Sequence, residues 1–84
     1  MEVQAFVTDL VTEANRNARV IDVTETQDIY RVRIAGTTTV VTACDIPRNV
    51  VTEAAERPTV RRRLLAVLKR CADETVAPMP DGRG

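Results

Sequence analysis

Apolar residues recur in this chain with two different periods, and the change of period marks its elements. Val3, Phe6, Val7, Leu10, Val11 and Ala14 fall at helical spacing, with Glu2, Asp9 and Glu13 between them. That spacing predicts an amphipathic first helix ending near Asn15 to Asn17, where an asparagine can adopt the left-handed closing conformation. Beyond it the period drops to two. Arg19 to Glu25 sets Ile21 and Val23 against Asp22 and Thr24. Ile29 to Ala35 sets Tyr30, Val32 and Ile34 against Arg31 and Arg33. Thr38 to Cys44 is rich in β-branched residues. Short connectors, Thr26-Gln27-Asp28 and Ala35-Gly36-Thr37, predict two hairpins and a three-stranded antiparallel meander.

The third strand can register in two ways. A two-residue loop at Gly36-Thr37, with Gly36 first in a type II′ turn, places Thr39, Val41 and Ala43 beside Tyr30, Val32 and Ile34. One more loop residue turns Val40, Thr42 and Cys44 to that face instead, because a one-residue slip flips every side chain. The two-residue loop is the expected one.

Asp45-Ile46-Pro47 predicts a helix start, with Asp45 as the cap and Pro47 in the first turn. That short helix carries Ile46, Val50, Val51 and Ala54 inward and ends before Pro58. Pro58 opens a longer helix whose stripe is Val60, Leu64, Val67, Leu68 and Cys71. The fold class is therefore α+β: an N-terminal helix, a three-stranded antiparallel meander, then a short helix and a long C-terminal helix packed on one sheet face. Residues 1–76 are expected to form one compact domain and residues 77–84 a flexible tail.

Composition narrows the chemistry. The chain has 84 residues and no histidine or tryptophan; hydrophobic residues make up 44% and aromatics only 2%. Its core must be aliphatic. Lacking histidine, it has no Ser–His–Asp or Cys–His arrangement and no side chain that ordinarily titrates near neutrality. Cys44 and Cys71 are far from a Cys-x-x-Cys spacing, and the three glycines form no phosphate loop. The expectation is a protein that is not an enzyme, with no catalytic residues, no cofactor and no metal. Both cysteines are expected to be free, small, buried hydrophobes. No stretch reaches the roughly 20 apolar residues of a membrane span, and the start lacks a signal-peptide pattern. No membrane partner and a cytoplasmic location are expected.

Twelve basic and twelve acidic residues cancel, so any basic function must be local. Arg61, Arg62 and Arg63 open the long helix, where positive charge opposes the helix dipole. Compensation by Glu53 and Glu56 is the plain reading of that triplet; an anion-binding surface is the functional one. Arg31 and Arg33 share a strand face, expected to include Val20, Asp22, Thr24, Val40 and Thr42. Aliphatics mixed with arginines suit an interface. The candidate interaction surface is thus Arg31, Arg33, Val20, Val40, Arg61, Arg62 and Arg63. The expected function is a small protein–protein interaction or regulatory module, partnered by another protein or by itself as a homodimer. The alternative is a nucleic-acid-binding regulator using Arg61 to Arg63.

Overall fold

The computed structural model describes residues 2–77, and within them the α+β order stands. Helix α1 (Val3–Ala14) is followed by strands β1 (Arg19–Glu25), β2 (Ile29–Ala35) and β3 (Val41–Pro47), then helices α2 (Arg48–Glu56) and α3 (Pro58–Asp73). The sheet is antiparallel with β2 in the centre. Helices cover one of its faces. α1 lies against β1, α2 against β3, and α3 between them across β2 and β3.

Each helix buries the stripe that its spacing defines. α1 commits Val7, Leu10 and Val11; α2, Val51 and Ala54; α3, Leu64, Leu68 and Ala72. They close on Tyr30, Val32 and Ile34 from β2 and on Cys44 and Ile46 from β3. Fully burying one such aliphatic side chain contributes about 1.5–3 kcal/mol. Every buried side-chain polar atom among the described residues has a hydrogen-bond partner. Thr75, the one buried polar residue described, donates its hydroxyl to the Ala72 carbonyl at 2.7 Å.

Local closures differ from expectation in three places. Asn15 is extended, with φ −153°; its amide closes α1 by donating to the Val11 carbonyl, and its Oδ1 accepts the Asn17 amide in the turn beyond. The β2–β3 connection runs from Gly36 to Val40 rather than through two residues. Its conformation answers to α3: the Thr38 amide and hydroxyl both donate to the Thr75 carbonyl at 3.0 Å. The five-residue loop gives the facing of the longer-loop alternative but slides the strand two residues beyond it, so Ile34, Val32 and Tyr30 face Thr42, Cys44 and Ile46 and Val40 stays in the loop. Finally, Asp45 does not cap α2. It stays in β3 opposite Arg31, where it gains an ion pair, and the strand continues to Pro47, which itself occupies the N-cap position.

A bulge bends β1. Val20 pairs with Ile34 but Asp22 pairs with Arg33, leaving Ile21 as an extra residue. Val20 and Val23 both pack on the core, which turns Ile21 and Asp22 to the opposite face. Val20 therefore leaves the face on which simple alternation puts it, and so does Thr42. The expected tail begins at Ala77, whose amide donates to the Thr37 hydroxyl at 2.8 Å; residues 78–84 lie outside the described residues.

Candidate interaction surface

The uncovered face of the sheet is a lattice of paired charge. Arg31 on β2 grips Asp45 on β3 with Nε–Oδ1 at 2.7 Å and a second bond at 3.0 Å. Arg33, two residues on, does the same to Asp22 on β1, with Nε–Oδ1 at 2.9 Å. Alternation puts both arginines outward, and the registers place one carboxylate beside each. The guanidinium groups hold the Asp22 and Asp45 carboxyls below their ordinary range, chiefly through these hydrogen bonds. Arg31 and Arg33 are raised in turn. This face is consequently not a free basic patch. Its large exposed apolar side chains are Ile21, 42% exposed, and Val41, 51% exposed, with Val40 beside them in the loop.

The exposure of these pairs limits their weight in folding, since water and salt screen them. Their sign is still defined. Asp22, Asp45 and Glu13, which Arg61 holds low, all have folded pKa values below the ordinary carboxylate range. Their contribution is complete above the unfolded value near about 4 and is lost as pH falls through the folded values. Urea midpoints should thus be level from pH 7 to about 5 and fall below about 4. An Asp22→Asn/Asp45→Asn variant should show a shallower fall; an identical acid limb would exclude these pairs as its source.

The arginine triplet comes apart in three dimensions. Arg61 turns to α1 and bonds Glu13, Nη2–Oε2 at 2.6 Å, rather than Glu53 or Glu56. Arg62 is exposed. Arg63, also exposed, lines a groove. Consecutive residues of a helix are splayed by about 100° each, so three arginines in a row cannot share one surface.

That groove holds about 390 Å³ and is lined by Asp45, Ile46 and Pro47 of β3, Val50 and Glu53 of α2, and Val60, Arg63, Leu64 and Val67 of α3. Three consecutive strand residues, whose side chains alternate between faces, can all line one groove only along the edge of the strand. The groove therefore runs beside the free edge of β3, with α2 and α3 standing back from it. Val67 is 49% exposed there. Its place in the apolar stripe of α3 predicts burial, and the stripe is wider than the sheet covers. One flank, Leu68 and Ala72, meets the core; Val60 and Val67 border the groove.

The edge has a defined hydrogen-bonding face. The Thr26 amide donates to the Ile29 carbonyl and the Arg48 amide to the Asp28 carbonyl. Alternation along the ladder then directs the main-chain groups of Thr42, Cys44 and Ile46 to β2 and those of Val41, Ala43, Asp45 and Pro47 outward. Pro47 offers only a carbonyl. The β3 edge thus ends on a proline, because the strand lies three residues further along the chain than the expected Thr38 to Cys44.

Cys44 and Cys71 are free. Burial, reinforced by the neighbouring Cys71, pushes the Cys44 thiol up to about 12, so at neutral pH it is no nucleophile. Among the described residues no three metal-ligating side chains cluster, and no helix is long and apolar enough to cross a membrane. Comparison with protein-family models, with curated proteins and with solved structures finds no match to this chain.

Proposed function

We propose that this protein is a small non-enzymatic interaction module that binds another polypeptide along the free edge of β3. The observation that carries the reading is the pairing of that edge with the apolar groove beside it. Outward amides at Val41, Ala43 and Asp45 offer main-chain hydrogen bonds, and Ile46, Val50, Val60, Leu64 and Val67 offer apolar contact. Strand addition uses this combination: the ladder gives affinity, and pockets for alternate side chains give selectivity. The other edge, β1, is interrupted by the bulge at Ile21, a device that discourages pairing.

The interface lies at the border of the arginine-bearing sheet face rather than on it. Of the residues singled out by sequence, Arg63 lines the groove and Val40 precedes the edge strand. Arg31 and Arg33 support the surface by fixing Asp45 and Asp22. The nucleic-acid alternative through Arg61, Arg62 and Arg63 is weakened by the Glu13 contact, which takes Arg61 out of the cluster.

A photo-reactive amino acid at Val67, introduced in the source cells, should give covalent adducts with polypeptide. The same group at Asp9, on α1 at the opposite flank, should give few. Equal yields at the two positions, or none at Val67, would overturn the proposal.

A further inference from the structure

We infer that the polypeptide taken up by the β3 edge is a second copy of this chain, joined about a twofold axis at Cys44 into one six-stranded antiparallel sheet. The inference rests on the β3 edge being the interaction surface and adds the partner and the register.

Only residues whose main-chain groups face outward can bond across the seam, and these are Val41, Ala43, Asp45 and Pro47. An antiparallel copy can pair them in three substantial registers. Centring on Asp45 sets two Asp45 carboxylates opposite one another. Centring on Ala43 sets Asp45 against Val41, brings the two Arg33 side chains towards each other, and leaves Pro47 unused. Centring on Cys44 pairs Ala43 with Asp45 and Val41 with Pro47. All four residues then bond: four hydrogen bonds between Ala43 and Asp45, and two from the Val41 amides to the Pro47 carbonyls. The amide that Pro47 lacks falls at the two ends of the seam, where one bond each is forgone.

The outer face agrees with that register. With the pairings inside each sheet, one row reads Arg31, Asp45, then Ala43, Arg33 and Asp22 of the second copy. Charge alternates in sign along its length, and no like charges meet. The adjacent row reads Arg19, Ala35, Val41, then Pro47 and Ile29 of the second copy, and it is apolar across the seam from Ala35 to Ile29. Val41, half exposed in the single chain, gains apolar neighbours. On the helix side the two Cys44 residues meet at the axis as small side chains. Thr42 of the second copy falls opposite Ile46 and enters the groove against Val50, Val60 and Leu64. A twofold interface uses one patch twice and must be self-complementary; in this register the β3 edge is.

Light scattering on the full chain from about 1 to 500 μM should show a dimer at about 100 μM, as a standard-sized interface allows. Ala43→Pro removes an outward amide on each copy that bonds nothing within its own sheet. It should raise the dimer dissociation constant roughly tenfold to hundredfold with an unchanged circular dichroism spectrum. Hydrogen exchange on the unaltered protein gives a reading that does not depend on how that variant folds. Amides of Val41, Ala43 and Asp45 should gain protection with concentration, while those of Thr42, Cys44 and Ile46 are protected throughout. In a mixture of labelled and unlabelled chains, an intermolecular contact from Thr42 Hα to Ile46 Hα would fix the register. Freely exchanging edge amides in a monomer at 500 μM would overturn the second copy as occupant; Val67 adducts with a different protein would then leave the interaction module standing. A dimer of undiminished affinity in Ala43→Pro would also overturn it, since the seam would lie elsewhere.

Discussion

Leu68→Ala is expected to destabilise the protein by about 2–5 kcal/mol. The side chain is fully buried, at the point where α3 crosses the sheet between α1 and β3. Truncation removes its transfer free energy and leaves a cavity that neighbours on three elements cannot all move to fill. A domain of this size has a total stability of roughly 4–11 kcal/mol, so the loss is a large fraction of the whole. Leu64→Ala should behave similarly but less severely, because Leu64 also borders the groove and water can enter the vacated space. Urea unfolding followed by circular dichroism measures both; a midpoint unchanged in Leu68→Ala would show that α3 does not seal the core.

Gly36→Ala should cost about 1–3 kcal/mol or more, a large effect for one methyl group on a loop. A Cβ at this position would sit 2.5 Å from the Thr75 carbonyl oxygen, 2.6 Å from its Oγ1 and 2.9 Å from its carbonyl carbon. The obstacle is mostly main chain, and it is tied in place. The Thr75 carbonyl accepts from the Thr38 amide and hydroxyl, and the Thr75 amide donates to the Ala72 carbonyl. Relieving the clash means lifting the loop off the end of α3 and breaking those bonds. Adding Thr75→Ala removes the Oγ1 contact but leaves the carbonyl, so the double variant should recover only part of the loss. Full recovery would mean that the side chain, not the main chain, excludes a Cβ. Gly36 is thus demanded by proximity to α3 rather than by the turn type that its place between two strands suggests.

The two positions illustrate how far the chain could be read without its structure. Leu68 announces itself: four apolar residues at helical spacing around it leave one face to bury. Gly36 announces a turn, but the residue it touches is 39 positions away, and no local pattern contains that contact. Val20 and Ile21 fail differently. Both are β-branched and either parity is acceptable alone; only pairing with Ile34 and Arg33 shows that β1 carries a bulge. Asp45 followed by Pro47 has the chemistry of a helix start, yet the cross-strand Arg31 offers the carboxylate a charged partner. That long-range pair prevailed over the local signal.

Sequence by itself determined the element order, the antiparallel meander, the aliphatic core and the exclusion of histidine chemistry, because periodicity and composition are local quantities. Tertiary structure decided the register of β3, the separation of the arginine triplet, and the opening of the groove between β3 and the α2–α3 pair. Each of these depends on contacts between residues distant in the chain. The β3 edge is the clearest case: whether an amide at Ala43 faces a neighbouring strand or open space is set by whether the loop has an even number of residues, as the two expected, or an odd number, as the five from Gly36 to Val40. That loop, in turn, is held by Thr75 at the far end of the described chain.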